Sequence, residues 1–288
     1  MTTLEVGSAA AGAITISSDV AVPGTVSALH LKSGSTVTGT TGSGGGLIGN
    51  GSVAVSATGA VTLDEASTAI GTIAVAAGGA VTVADTGALT VGSVAGVTGV
   101  SATSGNVSIS ATGAALTATE AVGASGSGTV SLSGSGVDLS ATTSDVSSGS
   151  GAITVDAGSG TFAMVSGSSL ATGGNIAIAA DSIALAGVIQ ATGGASEVKL
   201  APDTGATAIN LGAGASTGFA LTDAELNTIE APTVRIGTAA GAPYAGATGG
   251  AITLVGNFTP DNAFAITALE LRTTGMVTAC LLYTSRCV

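Results

Sequence analysis

The chain is 288 residues long, with 17 acidic against 5 basic residues, a formal net charge of −12, 45% hydrophobic residues and 2% aromatic ones. That acidity repels phosphate backbones and anionic lipid, which argues against nucleic-acid and membrane-surface partners. Disorder is opposed by a mean hydropathy of +0.66 and by only 8% charged residues, and no run of about 18 apolar residues without Ser, Thr or Gly marks a membrane span.

What remains is an unusual way of being apolar. Trp is absent and Gly occupies 47 positions, so Val, Ile and Ala carry the hydrophobicity. Small β-branched residues favour strands and Gly favours turns, which predicts an all-β chain of short strands.

In chain order, Leu29-His30-Leu31 reads as a strand with one outward polar position. His30 is the only histidine, so a Ser-His-Asp relay or a multi-histidine metal site is difficult to assemble. Residues 39–52 are Gly-rich and read as a loop bulging from an early coil. Gly44-Gly45-Gly46-Leu47-Ile48-Gly49 satisfies G-x-G-x-x-G. With 47 glycines in 288 positions about one such match arises by chance, and no strand–helix frame surrounds it. Alternating triplets follow at Val53, Val61, Ile73, Val81 and Leu89, with steps of 20 residues from Val53 to Ile73 and from Val61 to Val81. Asp64-Glu65 between them reads as a solvated turn.

The repeat then becomes regular. Triplets starting at Val107, Val130, Ile153, Ile176 and Val198 are separated by 23, 23, 23 and 22 residues. Second strands follow at Val137, Phe162, Ile183 and Ile209. Units of three-residue strands cannot bury an apolar side alone, so they must stack. This predicts an all-β right-handed parallel β-helix of about 20–23 residues per coil, a single repeat domain over 1–279. At roughly 22 residues per coil it would have 12 or 13 coils and a length on the order of 60 Å. The outer two residues of each triplet should point inward, stacking Val107, Val130, Ile153 and Ile176 in one interior column.

Residues 171–194, ATGGNIAIAADSIALAGVIQATGG, and 221–241, LTDAELNTIEAPTVRIGTAAG, resemble the repeats of filamentous haemagglutinin-like adhesins exported by two-partner secretion. The resemblance implies a bacterial surface or secreted passenger that meets an outer-membrane transporter during export. It implies contact with host or neighbouring cells, with matrix or with itself. Neither a secretion-domain signature near Met1 nor barrel strands at the end accompany it, which reads as an internal fragment.

Within 222–230, Thr222 and Glu225 have capping-box spacing, Leu221 and Leu226 fit a hydrophobic staple and Pro232 closes the segment, predicting a short helical insertion. Both cysteines, Cys280 and Cys287, lie in the atypical tail 280–288, which reads as a truncation artefact.

Chemistry is sought among carboxylates, because β-helix polysaccharide enzymes use Asp or Glu projecting from adjacent coils. A strict 23-residue register stacks Asp138 over Thr161 and Ala184, and Asp156 over Ser133 and Ala179. No acidic column emerges. The expectation is therefore a structural or adhesive passenger with no catalytic, cofactor-binding or metal residues and no cofactor. The alternatives are a carbohydrate-active β-helix enzyme centred near Asp203, Lys199 or Arg235, and a passive stalk for a lost effector.

Overall fold

The computed structural model describes residues 3–21, 26–40, 44–49, 51–205, 207–237, 250–256, 266–273 and 275–279; the tail with Cys280 and Cys287 lies outside them. The described chain is a parallel β-helix whose strands recur coil upon coil. Its first sheet has eleven strands, running from Ile14–Ile16 to Ala268–Arg272, and so climbs about ten turns.

The interior column forms as the triplets demand. Val107 pairs with Val130, Val130 with Ile153, Ile153 with Ile176 and Ile176 with Val198, and all five are 0% exposed. Each such Val or Ile contributes about 1.5–3 kcal/mol by leaving water, and strand pairing above and below satisfies the backbone.

The coil changes shape along the rod. Up to residue 77 one long strand per coil faces the first sheet, as in Ala28–Ser33, Ser52–Ala57 and Thr72–Ala77. The strand Thr72–Ala77 then carries two strands on its far edge. Its first half pairs with Leu89–Val91 and its second with Val100–Ala102. From there two separate sheets rise, and each coil has three strands. The hairpin Ser93–Val94 with Val97–Thr98, the sole antiparallel pair among the described residues, fills the split. It folds Val94 and Val97 over Ala28, Ala54 and Ala74 on the outer face of the early strands.

The turn count is lower than a uniform 22-residue coil predicts, because later coils are long. Val198 pairs with Val234 and Val234 with Leu269, steps of 36 and 35 residues. Between them Ile209–Leu211, Phe219–Leu221 and a one-turn helix, Asp223–Leu226, are inserted. Ile209 pairs with Phe219, so the insertion builds a rung of its own. The helix has the expected capping box: Thr222 accepts from the Glu225 N–H while the Glu225 carboxylate accepts from the Thr222 N–H. Within 39–52 the described residues include a short strand. Leu47–Ile48 is a strand paired with Val20–Ala21, and Leu47 is buried. A Cβ on Gly45 would sit 2.2 Å from the Ile16 carbonyl oxygen, so the glycines there permit close coil packing.

Candidate functional site

Three outward features bear on function. The first is a row along the first sheet, built because the middle residue of each triplet faces solvent. Thr15, Thr38, Thr62, Thr82, Ser108, Ser131 and Thr154 are successive register partners. Seven coils thus present seven stacked hydroxyls at the strand spacing of about 4.8 Å. Ala177 follows Thr154, and then Lys199, Arg235 and Glu270 continue the row.

The second feature is ionic. Glu197 takes the Lys199 ammonium at 2.6 Å and the Arg235 guanidinium at 2.9 Å, while Glu270 takes Arg235 at 3.1 Å and Arg272 at 2.9 Å. Lys199 and Arg235 are therefore committed to carboxylates of their own sheet. Hydrogen bonds from Arg235 and Arg272, reinforced by their charges, hold the Glu270 carboxyl below its usual range.

The third is an acidic corner. Asp156 stacks between Ser133 and Ala179 as the 23-residue register implies, whereas Asp138 lies over Ala163 rather than Thr161 because that turn holds extra residues. Ala179 and Ala201 are the regular register partners above Asp156, and Asp181 and Asp203 lie two residues beyond them, so the three carboxylates gather at one corner. The Asp203 carboxyl is pushed up by burial and then by the charges of Asp156 and Asp181. Asp156 and Asp203 line a cavity of about 390 Å³ with Ser110, Ser133 and Ser135. Asp181 accepts from the Thr204 N–H at 2.7 Å. Among the described residues no group of three or more His, Cys, Asp or Glu could hold a metal ion.

Titratable groups at two places lie deeper than their sequence context implies. Glu65 is buried, and one oxygen each of Asp64 and Glu65 is buried without a hydrogen-bond partner. His30 is outward-facing in its strand but only 5% exposed. Its Nε2 is 2.9 Å from Ser56 Oγ, and its Nδ1 is 3.7 Å from Glu5 Oε1. A strict 23-residue register hides this group, because Glu5 pairs with His30 across 25 residues and His30 with Ala54 across 24.

Compared with family models, curated proteins and solved structures, the chain matches none of them. No described helix is long and apolar enough to cross a membrane.

Proposed function

We propose that this β-helix is a structural and adhesive passenger segment of a large bacterial surface or secreted exoprotein of the filamentous haemagglutinin-like kind. Its rod attaches to host or neighbouring cells, to matrix or to further copies of itself, and its regular body carries no catalysis. The observation that carries this reading is the unbroken outward row from Thr15 to Thr154. A flat file of identical small polar groups suits many weak contacts summed along a length. The net charge of −12 keeps such a rod soluble, and the repeats at 171–194 and 221–241 supply the resemblance to exoproteins that cross the outer membrane through a dedicated transporter.

The test is binding of the purified chain to cultured cells, immobilised matrix and itself. Retention that weakens at least tenfold when Thr82, Ser108 and Ser131 are replaced together by Glu supports the reading; no retention on any of the three surfaces overturns it. A second reading is favoured by the Asp156, Asp181 and Asp203 corner with its cavity: a carbohydrate-active enzyme using carboxylates from adjacent coils. Release of unsaturated or reducing sugars from a polysaccharide panel, lost in Asp156→Asn, decides for it.

A further inference from the structure

The first coils carry a constellation that the rod itself does not use. The strand Thr3–Gly7 sets Glu5 beside His30, and the strand Ala28–Ser33 sets Lys32 beside Ser56. All four side chains share the outer face. His30 Nε2 meets Ser56 Oγ at 2.9 Å. Its other nitrogen, Nδ1, is buried without a hydrogen-bond partner and points to Glu5 Oε1 at 3.7 Å. A cavity of about 470 Å³ opens over Ser56, walled by Ala9, Ala57 and Ala76, with Glu5 and Lys32 at its polar side.

We propose that Ser56, His30 and Glu5 form an acyl-transfer centre that hydrolyses esters of short acyl chains bound in this cavity. The argument starts from the imidazole. A purely structural histidine would not be expected to leave one ring nitrogen buried and unpaired, at a cost of about 1–3 kcal/mol. With the proton on Nδ1, facing the carboxylate, the Nε2 lone pair accepts the Ser56 hydroxyl, which is the tautomer a general base requires. The Nδ1 to Glu5 distance is long for a hydrogen bond, and such contacts tighten when substrate fills the site. Burial, followed by the Lys32 charge, holds the His30 imidazole below its ordinary value of 6.5, so it is neutral and able to take a proton at pH 7. Lys32, 2.6 Å from Glu5, keeps that carboxyl ionised.

The steps balance without a further reactant. Ser56 Oγ attacks the acyl carbon as its proton passes to His30 Nε2. The bond to the leaving alcohol breaks, and that proton leaves with it. Water then attacks the acyl-Ser56 ester by the same route, releasing the carboxylic acid and restoring the serine. Lys32 lines the same cavity, and in this proposal its ammonium supplies the positive charge for the oxyanion. Ser56 and His30 are the catalytic residues, and Glu5 is a positioning residue. The inference stands apart from the adhesive role and concerns the strands Thr3–Gly7, Ala28–Ser33 and Ser52–Ala57.

The experiment treats the purified chain with a fluorophosphonate and locates the adduct by peptide mass mapping, alongside hydrolysis of p-nitrophenyl acetate and butyrate. The expected adduct is on Ser56. Ser56→Ala and His30→Gln should each lower the hydrolysis rate on the order of 100-fold with the circular dichroism spectrum unchanged. The rate of the parent should rise with pH through an inflection below 6.5. Glu5→Gln should move that inflection lower still, because the Glu5 charge favours the imidazolium, and should also lower the rate above the inflection, which a bystander charge would leave unchanged. An unlabelled Ser56, or hydrolysis that is equal in Ser56→Ala and the parent, overturns the proposal.

Discussion

Asp85 occupies an interior position at the end of the strand Val81–Asp85, in register with Ala111, and is 0% exposed. Its carboxylate accepts from the Gly87 N–H at 2.6 Å and from the Ile70 N–H, two donors that the turns leave without a strand partner. Burial pushes its carboxyl above the ordinary value of 3.8, and the two donors pull it back in part. Replacing it by Ala orphans both N–H groups, so Asp85→Ala should lower stability by about 2–5 kcal/mol in denaturant titration. The pH dependence has a definite sign. A carboxyl raised in the fold favours folding most when protonated, so its contribution is fully present below 3.8 and declines as pH rises through the raised value. The gap between parent and Asp85→Ala should therefore be widest near pH 3 and narrow on the way to neutrality. Asp203→Asn follows the same logic with the opposite outcome. It removes a carboxylate disfavoured by burial and by Asp156 and Asp181, and should raise the melting temperature at pH 7 while leaving it unchanged at pH 3. Asp203 is singled out by the sequence as a candidate carboxylate, whereas Asp85 is not, since it sits where the alternation calls for an apolar side chain.

Among the elements, the triplets were legible because a three-residue strand with two inward positions has few alternatives; Val107, Ile153 and Ile176 land in the core as their spacing implies. The helix was legible too, because Thr222 and Glu225 satisfy each other's backbone. The hairpin at 93–98 was not. Its signal is the pair Ala95-Gly96 between Ser93-Val94 and Val97-Thr98, a two-residue turn hidden inside a chain where Gly is everywhere. Ala95 has φ 49° and Gly96 φ 84°, the left-handed pair that such turns require and that favours Asn-Gly. Ala95 is the one non-Gly residue with positive φ among the described residues. Ala95→Asn should therefore stabilise the protein by about 0.5–1 kcal/mol, raising the urea midpoint, where most substitutions lower it. An unchanged midpoint would mean that the hairpin cover on Ala54 and Ala74 contributes little to the fold, and a lowered one that Asn does not suit this turn.

At the scale of the molecule, a fixed period reveals coil length but not the number of faces, and it overcounts when insertions mimic rungs. Phe219–Leu221 alternates like any triplet, so the 36-residue coil that contains it was indistinguishable from one and a half ordinary coils. Each coil contacts chiefly its neighbours, which makes stability a sum of local and nearest-neighbour terms. The early edge is poorly covered, with Leu4 and Val6 at 45% and 41% exposure, whereas Ile153 is 0% exposed midway up the rod. Ile153→Ala should cost about 2–5 kcal/mol through the cavity it leaves, against well under 1 kcal/mol for Val6→Ala. The pattern of the loss distinguishes a solenoid from a globule. Native-state hydrogen exchange in Ile153→Ala should show protection falling in Val130–Ser133, Ile153–Asp156 and Ile176–Ala179, with Ser52–Ala57 retaining its parent value. A uniform drop across all four strands would show that the rod unfolds as one cooperative unit, and nearest-neighbour addition would then be the wrong account of its stability.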